Sequence, residues 1–188
     1  MKLYGTVTSP FVRHCRVALT QCRLDWEFVT GDMESLTAQS PIHKIPYLSD
    51  GDRVLGDSCS IIKFARESAG QEFFPDIDEY DLFCTTNTIL DAAVNVFQLG
   101  KDGLTPEHSP YLGRQAKRVE SGLSELDGRV GPGNYALSDG ILRVACFLDW
   151  GLFRNRIDIE PYDNLRAVLD FSNQDPVFTS TSIPEEMR

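Results

Sequence analysis

The chain has 188 residues, 41% of them hydrophobic and 24% charged, with a formal net charge of −10 at pH 7. This balance lies near the globular average and excludes the disordered, collagenous and disulfide-rich classes. An acidic chain without a Lys/Arg cluster also argues against a general nucleic-acid surface, because contact with phosphate backbones relies on clustered cations.

Lys2 to Thr6 predicts a short strand, and Ser9-Pro10 then punctuates the chain before a helix from Phe11 to about Cys22. Val12, Cys15, Ala18, Leu19 and Cys22 fall on one face of it. Pro10 suits a first helical turn, where its missing N–H costs nothing, and Ser9 sits where an N-cap would. Trp26 to Val29 reads as a second strand, residues 31–39 as irregular or weakly helical, and Ile45-Pro46-Tyr47-Leu48 as the start of a third strand. The turn signal Ser49-Asp50-Gly51-Asp52 joins that strand to Arg53-Val54-Leu55 as a hairpin. Asp57-Ser58 opens a helix whose apolar residues are Ile61, Ile62, Phe64 and Ala65. Residues 1–70 therefore form an α/β unit, a mixed sheet with helices packed on it.

Residues 71–78 read as a linker containing Pro75, and residues 79–188 as an all-helical unit. A helix from Glu79 to Leu99 points Leu82, Phe83, Ile89, Leu90, Ala93, Val94 and Phe97 at a core. From Ser109 to Gly128, Leu112, Ala116, Val119, Leu123 and Leu126 recur at spacings of four, three, four and three, the seam of a helical bundle. The apolar run from Ile141 to Leu148 is too short for a membrane and predicts a central buried helix. The tail from Asn173 is expected to be loosely structured.

Three places carry chemistry. Thr8-Ser9-Pro10-Phe11-Val12-Arg13 puts hydroxyls at a strand-to-helix junction, where free N–H groups and the helix dipole favour an anion. Ser9 either caps the helix or faces a ligand there. In Lys44-Ile45-Pro46 a cis X-Pro bond would expose the Ile45 backbone to a peptide ligand, and an ordinary strand-edge proline is the alternative. Gly56-Asp57-Ser58 sets an acid and a hydroxyl at another helix start, able to hold an amino acid's ammonium and carboxylate or simply to cap.

Together and in this order, the three resemble the thioredoxin-like half of the glutathione S-transferase family, in the bacterial type with a Ser-Pro-Phe-Val-Arg opening. The resemblance is close over residues 1–70 and looser over 78–172. It implies the glutathione-transferase fold, a thioredoxin-like domain followed by a helical bundle. It places Ser9 at the glutathione sulfur as the catalytic hydroxyl, with Phe11 in the same binding set. It makes Ile45 the backbone partner beside a cis Pro46, Lys44 a neighbour of a glutathione carboxylate, and Asp57 with Ser58 the holders of the γ-glutamyl end. Arg13 is either a surface charge or support for the ligand. Many members carry glycine where this chain has His43, which adds a contact or crowds the pocket, and Asp57 stands for the commoner Glu. In the second half, Leu137-Ser138-Asp139 resembles the family's capping box, with Ala136 at the usual Ser/Thr position and Ser138 or the Asn134 region expected to share the capping.

The resemblance implies an enzyme that activates the glutathione thiol for attack on a small hydrophobic electrophile, with glutathione as co-substrate. One alternative is a binding or interaction protein that keeps the fold without the activity. Another is a thiol transferase that forms a mixed disulfide through Cys15. His14, His43 and His108, expected as exposed polar side chains, have no metal-site spacing, so no metal is expected. The five cysteines, an odd number without close pairs, imply reduced thiols and a cytoplasmic location. Met1 to Gly5 carries no signal-like apolar run, so neither export nor membrane insertion is expected. The resemblance also implies a homodimer, to which Tyr80, Phe83, Cys84 and Asn87 contribute either surface or core.

Overall fold

Strand alternation builds the first layer. β1 (Lys2–Tyr4) lies between a parallel β2 (Glu27–Val29) and an antiparallel β3 (Tyr47–Asp50), and β4 (Arg53–Leu55) pairs with β3 at the edge. Leu3 sits opposite Leu48, and both are wholly buried. They share a core with α1 (Pro10–Gln21) and α3 (Ser58–Ser68), which supply Val12, Cys15, Ala18, Ile61 and Ala65. A short α2 (Met33–Ala38) forms in the stretch predicted as weakly helical. Its N-cap, Asp32, accepts 2.8 and 2.7 Å bonds from the Ser35 N–H and hydroxyl. These bonds, the backbone one first, hold the Asp32 carboxyl below its usual range.

The computed structural model describes residues 1–133 and 135–187, and its contacts divide it into Met1–Pro75 with Asn173–Arg188 as one unit and Asp76–Ser172 as the other. The last segment thus joins the sheet-bearing unit, whereas the sequence pattern had grouped it with the helices. Nor is it loosely structured. α8 (Pro176–Ser180) starts from the N-cap Asp175, and Phe178, Thr181 and Ile183 are buried. Arg13 is the anchor. Its Nη2 donates to the Phe178 carbonyl and the Ser182 hydroxyl, both at 3.1 Å, and its guanidinium lies 3.8 Å from the Phe178 ring centroid. Arg16 adds a 3.2 Å bond to the Thr181 carbonyl.

α1 is consequently buried on more than its predicted face, because α3 and α8 both pack against it. His14, expected to be exposed, has no accessible surface, while His43 and His108 are exposed.

In the second unit, α4 (Ile77–Lys101) and α5 (Pro110–Val130) run antiparallel. Arg129 near the end of α5 meets Asp81 and Thr85 near the start of α4, and Gly122 meets Ile89 at mid-length. A Cβ on Gly122 would lie 2.6 Å from Ile89 Cδ1 and Cγ1, so this close approach needs glycine. Gly122→Ala is expected to cost about 1–3 kcal/mol through overpacking. Chemical denaturation of Gly122→Ala, Ile89→Val and the double variant checks this: the double variant recovers part of the loss, and simple additivity would contradict the contact.

α6 (Asp139–Phe153) is the central buried helix, with every residue from Asp139 to Gly151 buried. It starts two residues later than a cap at Ala136 requires. Ser138 is the N-cap, accepting from the Ile141 N–H at 3.3 Å, and Glu79 of α4 takes the Ser138 hydroxyl at 2.6 Å and the Gly140 N–H at 3.2 Å. A carboxylate from another helix therefore satisfies one first-turn N–H and holds the capping hydroxyl. Asn134 lies outside the described residues. α7 (Asp163–Ser172) begins on Asp127 of α5, whose Oδ1 accepts from the Asn164 and Leu165 N–H groups at 2.9 and 3.1 Å. Of the four residues considered for a dimer surface, Tyr80 is exposed, Cys84 and Asn87 are half-buried, and Phe83 belongs to the core beneath the Arg143 guanidinium.

Candidate active site

Topology brings the three motifs to one edge of the sheet. β1 ends toward Ser9, β3 begins after Pro46, and β4, antiparallel to β3, ends toward Asp57, so all three segments leave the sheet on the same side. Side-chain contacts tie them together. The Lys44 Nζ lies 5.7 Å from the Phe11 ring centroid, joining the cis-proline loop to α1. Cys15 Sγ lies 3.8 Å from the Ser58 carbonyl, joining α1 to the start of α3. A Cβ on Gly56 would stand 3.8 Å from Ile42 Cδ1, so the loop before Pro46 borders the turn before Asp57. The first turn of α1 is set by Gly5, where a Cβ would lie 2.3 Å from Val12 Cγ2.

Ser9 caps α1, its Oγ accepting from the Val12 N–H at 3.4 Å. The two readings of Ser9 are compatible, because the cap uses a lone pair and leaves the hydroxyl proton able to donate. Pro10 follows at N1 without an N–H, and the sequence forms this junction for local reasons alone.

The Ile45–Pro46 peptide is cis. Ile45 lies ahead of β3, and its N–H and C=O make no hydrogen bond with described residues, so the pair is available to an extended peptide backbone. Ser40 shapes the loop: its Oγ accepts from the Lys44 N–H at 3.2 Å and its carbonyl from the His43 N–H at 3.1 Å. The sequence reading passed over Ser40, whose signal is a buried serine one residue ahead of Pro41. His43 has φ of 51°, in the left-handed region that favours glycine, and its side chain is exposed. Tyr47, next to Pro46, stacks on Tyr4 with centroids 4.4 Å apart, and burial, with a smaller effect of Tyr4, raises its phenol pKa and keeps it neutral.

Asp57 is the N-cap of α3, with Oδ1 accepting from the Cys59 N–H at 2.8 Å. Oδ2 takes no hydrogen bond from a described residue, and the side chain is exposed, leaving it open to a cation. Ser58 follows, buried, at the first position of the helix. Arg13, near Ser9 in sequence, is not a surface charge: it is 2% exposed and its guanidinium is engaged by the C-terminal segment. Cys15 is fully buried, so a mixed disulfide there requires the helix to move. Among the described residues, no group of three or more His, Cys, Asp or Glu is placed to hold a metal, and no helix is long and apolar enough to cross a membrane.

The sheet-bearing unit is a thioredoxin-like domain, and the second unit is an all-helical bundle. Residues 3–73 match the family described as glutathione S-transferase, N-terminal domain. Over 72 residues the chain is 36% identical to glutathione S-transferase 1 of Zea mays, a match spanning 35% of this chain and 34%, about a third, of that relative. Similar solved structures include a glutathione S-transferase from Methylobacillus flagellatus with glutathione bound, at TM-score 0.86 and 24% identity over 97% of this chain and 99% of that one. Another, from Methylobacterium radiotolerans in complex with glutathione sulfonate, has TM-score 0.82 and 21% identity over 96% of this chain and 93% of that one. Residues 3–73 thus match the N-terminal domain of glutathione S-transferases by sequence, and the chain shares the fold of these solved structures along its length.

Proposed function

We propose that the chain is a glutathione transferase in which Ser9 donates a hydrogen bond to the glutathione sulfur. The observation that carries this reading is the convergence, at one sheet edge, of a capping hydroxyl with its proton free, the unladdered Ile45 backbone and a half-used Asp57 carboxylate. The backbone pair at Ile45 matches the cysteinyl residue of the tripeptide. Asp57 Oδ2 meets the γ-glutamyl ammonium, Ser58 the γ-glutamyl carboxylate, and Lys44, on the rim beside Phe11, a glutathione carboxylate.

A free thiol titrates near 8.5, so little thiolate exists at neutral pH. A donor hydroxyl and the helix N-terminus stabilise the anion and lower that value. The thiolate then attacks an electrophilic carbon, forming the C–S bond. The displaced group departs with its bonding electrons, or an activated alkene takes up a proton from water, and the thiol proton goes to solvent. Conjugation, isomerisation, dehalogenation and peroxide reduction share this activated thiol, and the resemblance adds a homodimer and a cytoplasmic setting.

Isothermal titration with reduced glutathione tests the site. The intact protein binds saturably, and Asp57→Asn, which retains a cap, loses affinity by about 10–100-fold, as expected for a charge-assisted bond of about 1.5–3 kcal/mol. Ser58→Ala weakens binding less. Lack of binding by the intact protein would leave the second reading, an interaction protein on the same fold, which His43 in a glycine-favouring conformation and the short reach of Asp57 support.

A further inference from the structure

The turn that carries Ser9 is clamped from two sides. On the sheet side, the Ser9 N–H donates to the Thr6 carbonyl at 3.2 Å, and Val12 packs on Gly5, where a Cβ would lie 2.3 Å from Val12 Cγ2. On the other side stands Arg13, whose N–H closes the turn on the Ser9 carbonyl at 3.0 Å. Five consecutive residues, Pro10 to His14, are buried, so this helix start does not meet solvent as a fraying end would.

The second clamp comes from the C-terminal segment. Arg13 Nε donates to Thr181 Oγ1 at 3.3 Å, and Nη2 donates to the Phe178 carbonyl and to Ser182 Oγ, both at 3.1 Å. Thr181 Oγ1 in turn donates to the Phe178 carbonyl at 2.8 Å, which holds these two acceptors together. The guanidinium also lies 3.8 Å from the Phe178 ring centroid. A planar fork seated on three acceptors and a ring, all within residues 178–182, is fixed in a way that a flexible ammonium would not be. The cap at Ser9 is weaker. Its Oγ accepts from the Val12 N–H at 3.4 Å, beyond the usual range of such bonds, and does not by itself fix where the hydroxyl points.

We propose that Arg13, held by Phe178, Thr181 and Ser182, is a positioning residue for Ser9, so that the C-terminal segment sets the acidity of the thiol bound there. This rests on the glutathione reading of the site. Arg13 acts through the first turn of α1 rather than on the sulfur itself: a small displacement of that turn lengthens the bond from hydroxyl to sulfur and stabilises the thiolate less. Ultraviolet titration of the thiolate in the glutathione complex tests this, with isothermal titration of glutathione alongside. Arg13→Met keeps the apolar stem and removes the fork. It is expected to raise the bound thiol's pKa by about half a unit to one unit, while affinity at about pH 5.5, where the thiol is protonated, changes less than about twofold. Thr181→Val keeps the shape but withdraws the acceptor of Nε, and shifts the pKa the same way by less, so the proposal stays testable if Arg13→Met fails to fold. Leu19→Ala, a cavity at the far end of α1, lowers the melting temperature without moving the thiol. In a Ser9→Ala background, Arg13→Met adds no further shift, because the hydroxyl it positions is gone. A bound thiol unmoved by Arg13→Met and Thr181→Val, moved equally by Leu19→Ala, or moved further by Arg13→Met on top of Ser9→Ala would each overturn the positioning role alone. An intact protein that does not bind glutathione would overturn the reading of the site, and the positioning role with it.

Discussion

Phe178→Ala is expected to destabilise the protein by about 3–5 kcal/mol, the range for removing a fully buried aromatic side chain. In a chain of this size that lowers the melting temperature by on the order of 10 °C. The loss has two sources. The cavity forfeits packing against α1, and the Arg13 guanidinium loses the ring 3.8 Å beneath it. Arg13 also receives its backbone support from Ser9, whose carbonyl accepts the Arg13 N–H at 3.0 Å, so the damage reaches the first turn of α1. Hydrogen exchange should accordingly speed up in α1 more than in α5. Leu126→Ala, a cavity of similar kind in the helical unit, should not produce that local pattern. A Phe178→Ala protein that melts with the parent would show that the C-terminal segment does not hold α1.

Ser9→Ala is the second large effect, and it falls on chemistry rather than stability. Removing a hydrogen bond to a sulfur anion is expected to cost about 1.5–3 kcal/mol, or roughly 10–100-fold in kcat/KM. The sign on the titration follows directly. In the proposed mechanism the hydroxyl stabilises the charged form, so its removal moves the bound thiol's pKa upward, toward the free value near 8.5. Ultraviolet titration of thiolate in the glutathione complex reads the shift without any electrophile. The same variant loses its N-cap, worth about 1 kcal/mol, and thermal melting measures that part separately. Ser9→Thr keeps both the cap and the hydroxyl and should restore most of the activity. An unchanged thiol titration in Ser9→Ala would remove Ser9 from the mechanism.

The first unit was legible because its signals are local. Ser9 before Pro10, the Asp-Gly turn of the β3–β4 hairpin and Asp57 before Ile61 each act within a few residues, and the observed elements begin within a residue or two of where these signals place them. The motif order also pointed to the N-terminal domain matched over residues 3–73, and topology explains why three distant segments share one edge. What the sequence pattern missed depends on partners remote along the chain. The Arg13 bond to the Phe178 carbonyl spans 165 residues, and nothing near Arg13 distinguishes a buried anchor from a surface charge. His14 is buried for the same reason, since periodicity along α1 predicts one covered face and α8 covers another. At the start of α6 the sequence points to Ser138, the observed N-cap, but not to Glu79, which lies 59 residues upstream and accepts from the Ser138 hydroxyl.

The return of the C-terminal segment to the first unit bears on how a ribosome delivers this fold. The helical unit, Asp76–Ser172, is continuous in the chain, whereas the sheet-bearing unit is completed by residues that are translated after it. When residues 1–75 have emerged, the side of α1 that carries Arg13 lacks Phe178 and Thr181. Domains usually close from the N-terminus as synthesis proceeds. Here the later unit has all its parts first, and the earlier one waits for the segment from Asn173 onward, leaving the sheet edge that gathers Ser9, Ile45 and Asp57 on a partly uncovered scaffold until translation has passed residue 183.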